Sequence, residues 1–374
     1  MTKAFAHFRV GRHTTGLVVK IALALALVSC SSGASKTTSA TDSTRPERDD
    51  VRLPDKRLLS VRCAGRGLPT VILESGFGAD AGAWYRVQPA LAQTTRVCSY
   101  DRAGYGFSDP GPLPRDGAAI ARDLDHALIA AGIRGPFIVV GHSAGGLYAR
   151  LFAARRPQDV RGLVLVDPTV ERRAPQPVGD GLDGIRQRLH RCLGAAETSA
   201  QAAFDDPAWA GCVGADPDDN AAAVARRPAT WRNQISELDA IFGRTSDQVA
   251  RIGGVLRDIP VYVITASETA TSSPLAPFGP PVSVWELQHQ QLAAMSQVGY
   301  QTTVVGPHLL MIARPEVVLG AVREMVAATR SRRRPGPLPL SEMVALPPAR
   351  PDTLVSGSTS LDRPLTANDV KPQK

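Results

Sequence analysis

Residues 136–140 (PFIVV) form an apolar run that breaks directly into Gly141-His142-Ser143-Ala144-Gly145-Gly146, and residues 147–156 then carry helical spacing. A buried strand turning this abruptly into a helix leaves little room for side chains, so small residues must flank the turn. The residue at its apex is held in a strained backbone state and lifted clear of the sheet edge, at the positive end of the following helix. G-x-S-x-G alone is a weak pattern. Set between a strand and a helix it reads as a nucleophile turn with Ser143 at the apex.

The surrounding chain alternates in the same way. Residues 56–63, 70–74, 95–100, 136–140, 161–166, 260–265 and 300–305 read as strands, and 118–131, 147–156 and 315–330 as helices. Short, wholly apolar strands separated by helices imply a mostly parallel sheet covered on both faces, an α/β fold. Residues 169–257 interrupt the alternation. They hold Trp209, Trp231 and helical stretches such as 229–243, without a convincing strand. Some 90 residues between two strands exceed an ordinary loop, and we read them as an inserted helical cap.

At this point the chain resembles the α/β-hydrolase fold family over about residues 50–330. Ser75-Gly76-Phe77-Gly78 stands where the family places its first oxyanion loop, with Ser75 in place of the more usual His. Asp101-Arg102-Ala103-Gly104-Tyr105-Gly106-Phe107-Ser108 is similar to the loop after the family's fourth strand, where the Asp-Arg pair reads as structural. The resemblance implies Ser143 as nucleophile and the backbone N–H groups of Phe77 and Ala144 as oxyanion donors.

Seven histidines compete for the role of base. His7 and His13 lie in the N-terminal segment, and His126, His190 and His289 in helical stretches where a histidine is usually solvated or simply packed. His142 adjoins the nucleophile but points elsewhere on the turn. His308, after the last strand and Gly306-Pro307, occupies the family's position for the base, in the order Ser then His. Two acids remain open: Asp167, which ends the 161–166 strand, and Glu268, beside Thr269, where an Asp is commonest in the family. Asp167 is favoured. Either would hold the imidazole in one tautomer and stabilise the imidazolium.

Lys3, Arg9, Arg12 and Lys20 precede eight apolar residues, 21–28 (IALALALV). That run is less than half of the roughly 18 residues a membrane span requires and suits a signal h-region. It ends in Leu27-Val28-Ser29-Cys30 and resembles a bacterial lipoprotein signal, which implies that Cys30 is lipidated and that the chain is exported and anchored to the membrane on its outer side; plain secretion is the alternative. Residues 31–45 hold nine Ser/Thr and no large apolar side chain, the composition of a flexible tether. Residues 331–374, with eight prolines in 44 positions, read as a disordered tail. The organisation expected is therefore a signal at 1–29, a tether at 30–49, the core at 50–168 and 258–330, the cap at 169–257 and the tail at 331–374.

The formal charge of +8 is concentrated in these ends, and residues 51–330 carry only +2. A nucleic-acid-binding body would be more basic, with its charge in a stripe or patch. Cysteine and histidine spacing suggests no zinc site, and no G-x-G-x-x-G follows a strand, so no metal or dinucleotide cofactor is expected. Export implies an oxidising compartment. In the family's fold the strand at 56–63 lies beside that at 95–100, so the resemblance implies a Cys63–Cys98 bridge. Cys192 and Cys212 both fall in the cap, and four free thiols is the alternative to these pairings.

The function expected is a serine hydrolase of esterase or lipase type, acting on a small, largely apolar acyl substrate. Amide or peptide hydrolysis, or a cofactor-free lyase or perhydrolase reaction, would use the same triad. Epoxide hydrolases and haloalkane dehalogenases are disfavoured, because the resembling members carry Asp at the position of Ser143. A catalytically inactive binding protein on a hydrolase scaffold is the alternative from another class.

Overall fold

The computed structural model describes residues 44–171, 182–214, 217–272 and 284–338, which form a single unit by their contacts. Cys30, the segment read as a signal, most of the segment read as a tether and the stretch read as a tail beyond residue 338 lie outside them. Eight strands are present: β1 (Glu47–Arg52), β2 (Leu58–Ala64), β3 (Thr70–Glu74), β4 (Val97–Tyr100), β5 (Phe137–His142), β6 (Val160–Val166), β7 (Val261–Ala266) and β8 (Gly299–Val304). They form one sheet in the order β1-β2-β4-β3-β5-β6-β7-β8. β1 pairs antiparallel with β2, and β2 with β4; every other neighbouring pair is parallel.

The apolar strands divide their side chains by the period of two. Ile72, Val139, Leu163, Leu165 and Val263 face one core cluster, packed with Leu124 and Phe152. Val71, Leu73, Ile138, Val140, Val164 and Ile264 face the other, packed with Val318, Val322 and Met325. A strand buried on both faces cannot alternate apolar with polar, which is why 136–140 is continuous in sequence. The covering helices are α1 (Gln88–Ala92), α2 (Gly117–Ala130) and α3 (Gly145–Arg155) within the first half of the chain. Asp116 caps α2 by accepting from Ala119 N–H at 3.0 Å.

Between β6 and β7 lie α4 (Asp183–Thr198), α5 (Asp219–Ala225), α6 (Pro228–Ala240) and α7 (Ser246–Ala250). Among the described residues of this insertion there is no strand. The helix expected over 229–243 runs as α6 to Ala240 and continues as a π-helical turn over Ile241–Thr245, kinked at Gly243. α8 (Ser267–Ser272) and α9 (Val284–Ala293) follow β7, and α10 (Leu310–Ala313) and α11 (Pro315–Arg330) follow β8.

Two disulfides are formed, Cys63–Cys98 and Cys192–Cys212. The first joins directly opposed residues of the antiparallel β2/β4 pair. The second links α4 to the segment after Trp209 within the insertion.

Two segments depart from expectation. The stretch read as tether ends in a strand: Glu47–Arg52 pairs with β2, although only Val51 of the six is buried. The Pro-rich tail begins by packing on the body. Arg333 bonds Glu324 through both terminal nitrogens (2.6 and 2.8 Å), Gly336 N–H donates to Glu324 at 2.8 Å, and Tyr262 donates to the Gly336 carbonyl.

Candidate active site

The parallel strands end at one sheet edge, and the residues just beyond β3, β5, β6 and β8 meet there, as the topology of an open α/β sheet requires. Ser143 follows β5 with φ of 51°, the left-handed region that a residue with a Cβ seldom occupies. Its carbonyl accepts from Gly146 N–H and from Thr169 N–H, both at 2.9 Å, and its own N–H donates to the Val166 carbonyl at 3.1 Å. The strained residue is thus tied to α3 and β6. Gly145 is required by close approach: a Cβ there would lie 2.5 Å from the Glu74 carbonyl oxygen. Gly76 stands in the same position across the site, where a Cβ would lie 3.0 Å from Ser143 Cβ and 2.8 Å from His142 Nδ1.

Asp167, fully buried, also has a positive φ (42°). Its Oδ2 lies 2.6 Å from His308 Nδ1. Its Oδ1 accepts from Ala266 N–H at 3.0 Å and from the Trp285 indole N–H at 2.9 Å. Burial alone would raise this carboxyl, but the bonds from His308, Trp285 and Ala266 outweigh it and hold Asp167 below the ordinary carboxylate range. Glu268 stands in the first turn of α8, where its backbone N–H donates to the Gly306 carbonyl at 3.2 Å. The carboxylate beside the imidazole is therefore that of Asp167.

His308 is 40% exposed at its side chain, open to a ligand while Asp167 is not. His142 packs against it with ring centroids 4.6 Å apart, and its Nε2–H donates to the His308 carbonyl at 3.1 Å. Burial, reinforced by the neighbouring His308, pushes His142 down to about 3, so it is neutral. It joins the turn carrying Ser143 to the loop carrying His308.

On the other side, Ser75 occupies a definite niche. Its hydroxyl donates to the Asp80 carbonyl at 2.8 Å and accepts from the Trp84 indole at 3.0 Å. The loop 75–78 is braced from within, and Phe77 is partly exposed beside the core.

Trp285 and His289 escaped the sequence reading as members of this site. Both lie on α9, one turn apart. His289 is fully buried; its Nε2–H donates to the Pro168 carbonyl at 2.8 Å and its Nδ1 accepts from the Thr265 hydroxyl at 2.8 Å. Burial lowers its pKa and keeps it neutral. α9 thus grips the peptide after Asp167 with one side chain and its carboxylate with another. In the sequence, the signal was a tryptophan and a histidine four residues apart in a helical stretch before the last strand.

The family described as alpha/beta hydrolase fold matches residues 69–270, more than half of the chain. An AB hydrolase superfamily protein of Gibberella zeae is 36% identical over 130 residues, which are 33% of this chain and 40% of that protein. An uncharacterized vacuolar membrane protein of Saccharomyces cerevisiae is 38% identical over 129 residues, 31% of this chain and 20% of that protein. The chain thus spans well under half the length of these curated relatives. Among solved structures, a haloalkane dehalogenase loop variant from Bradyrhizobium elkanii shares the fold with a TM-score of 0.56 at 19% identity, over 77% of this chain and 99% of that one. No described helix is long and apolar enough to cross a membrane.

Proposed function

We propose that this chain, which belongs to the alpha/beta hydrolase fold family, is a serine hydrolase that cleaves carboxylic esters with an apolar acyl part through an acyl-enzyme on Ser143. The observation that carries the reading is the buried Asp167 carboxylate 2.6 Å from a half-exposed His308, at the same sheet edge as a serine held at positive φ. His308 takes the hydroxyl proton as Ser143 attacks the carbonyl carbon, and Asp167 stabilises the imidazolium that results. The N–H groups of Phe77 and Ala144 receive the developing oxyanion, where one such donor is worth roughly 2.7–4 kcal/mol. The imidazolium then protonates the leaving alcohol. Water, deprotonated by His308, releases the acid and restores Ser143.

The insertion between β6 and β7 is read as the cap over this edge, and the closed, largely apolar pocket that a helical cap makes favours an acyl chain over a polar group. The test is a chain-length series of chromogenic esters on the purified chain, with Ser143→Ala as control. Turnover lost in the control, together with fluorophosphonate labelling of Ser143, is the expected result. No labelling of the folded wild type returns the chain to the binding-protein reading.

The same reading places the enzyme outside the cytoplasm on a lipid anchor at Cys30. The two disulfides support an oxidising compartment. Mass analysis of the mature N-terminus tests it: an acylated Cys30 is expected, and Cys30→Ser should release the enzyme from the membrane fraction.

A further inference from the structure

Arg102, in the loop after β4, is 2% exposed, and each of its five guanidinium N–H groups has an acceptor. One terminal nitrogen donates to the Ser75 carbonyl at 2.6 Å and to Glu74 Oε1 at 3.0 Å. The other donates to the Gly76 carbonyl at 2.7 Å and to Glu237 Oε1 at 2.9 Å, and Nε reaches Glu237 Oε2 at 3.4 Å. Glu74 is the last residue of β3 and also accepts from the Tyr100 hydroxyl. Glu237 belongs to cap helix α6 and also accepts from the Tyr148 hydroxyl of α3 at 3.1 Å. The guanidinium is therefore fixed by the sheet on one side and the cap on the other.

What it holds is the loop beside the nucleophile. In a trans peptide, the C=O of one residue and the N–H of the next point in opposite directions. The Gly76 carbonyl is turned onto Arg102, so the Phe77 N–H is turned away from it. The Ser75 carbonyl is held in the same way, which fixes the Gly76 N–H. Gly76 abuts Ser143, with room for no Cβ between them. A charged donor on the carbonyl side also polarises the peptide and strengthens its N–H as a donor.

We propose that Arg102 is the positioning residue of the oxyanion hole: by holding the Ser75 and Gly76 carbonyls from behind, it keeps the Phe77 N–H aimed at the substrate oxygen. This rests on the reading of Ser143 as nucleophile and Phe77 as donor. Lysine cannot replace it, because a single ammonium cannot serve two carbonyls and two carboxylates in one plane.

The test compares matched chromogenic esters and thionoesters on the full chain, wild type and Arg102→Lys. In a thionoester the developing charge sits on sulfur, a larger atom and a weak acceptor, so its hydrolysis gains little from the hole. Wild type should prefer the ester strongly. Arg102→Lys should narrow the ester-to-thionoester ratio by about tenfold or more and lower kcat on the ester with KM little changed, since a lost oxyanion donor costs about 10²–10³ in kcat. An equal loss on both substrates, leaving the ratio intact, assigns Arg102 to holding the cap alone and overturns the proposal. Should Arg102→Lys lack a cooperative thermal transition, Glu74→Gln, which keeps the anchor's shape and removes its charge, takes its place. A narrowing of about threefold is then expected as a fraction of the full donor loss, and an unchanged ratio overturns the proposal. A folded wild type with neither ester turnover nor labelled Ser143 is a different failure, that of the hydrolase reading itself.

Discussion

The indole of Trp285 donates to Asp167 Oδ1 at 2.9 Å while His308 holds the other oxygen at 2.6 Å, so both oxygens of the acid are engaged. A carboxylate with Ala266 N–H, an indole and an imidazole around it has lost its freedom to rotate. Its direction is set by α9 and β7 rather than by the histidine it serves. In the proposed mechanism, that division lets His308 change its protonation without moving its partner.

Exchanging the two candidate acids separates them. Asp167→Asn removes the charge that stabilises the imidazolium and permits the wrong tautomer, a change worth about 10⁴ in kcat for a triad of this kind. Glu268→Gln should remain within a few-fold of wild type. Steady-state ester hydrolysis by the two variants checks this, and a comparable loss in both would remove the assignment to Asp167.

Trp285→Phe keeps the ring and deletes the donor. A hydrogen bond to a charged group is worth about 1.5–3 kcal/mol, so the variant should unfold more easily near neutrality by that order. The sign follows from the depressed pKa of Asp167. Its stabilisation is complete above the unfolded value of 3.8 and is lost as pH falls through the lower folded value. The gap between wild type and variant should therefore persist down to about pH 4 and close below it, as followed by urea midpoints across the acid range.

What was legible in the chain and what was not divides along physical lines. Ser143 could be read because its strand, turn and helix are contiguous, and a local pattern carries the whole constraint. Asp167 could be named as a strand-terminal acid, but its choice over Glu268 depends on a contact across 141 residues. Trp285 and His289 each reach a partner more than 100 residues away, Asp167 and the Pro168 carbonyl, from a helix with no motif of its own. β1 was unread because an edge strand with a single buried side chain, Val51, shows no apolar alternation; its backbone bonds to β2 hold it. The start of the tail was misjudged for the converse reason. Proline content signals the lack of a core, yet Arg333 and Gly336 both close on Glu324 without one.

The two neutral, buried histidines should make the fold acid-sensitive above the carboxylate range. His142 and His289 both have lowered folded-state pKa values, while in the unfolded chain they titrate near 6.5. Below 6.5 the unfolded state binds more protons, so stability rises with pH there and falls on acidification. Each contributes a slope of up to about 1.4 kcal/mol per pH unit. Replacing His289 by Gln should remove part of the decline that sets in as pH falls below about 6.5. Urea midpoints at half-unit pH intervals measure it, and an unchanged slope would count against the buried neutral form.

The cap's own staple offers the last test. Cys192–Cys212 closes a sequence separation of 20 within a region whose other fastenings include exposed ion pairs such as Arg186–Asp239 and Arg232–Glu197. Pairs of that kind contribute about 0–1 kcal/mol each, whereas a disulfide closing a loop of this size contributes roughly 3 kcal/mol. The double variant Cys192→Ala/Cys212→Ala should loosen the cap before the sheet, which keeps Cys63–Cys98 and its two packed faces. Hydrogen exchange should show this as faster exchange in α4 and α6 with β5 and β6 still protected. Because α6 carries Glu237, which holds Arg102, ester turnover should fall along with cap protection even though no residue of the triad has been touched. Exchange rates in α4 and α6 equal to those of wild type would show that the cap is held by its buried contacts instead.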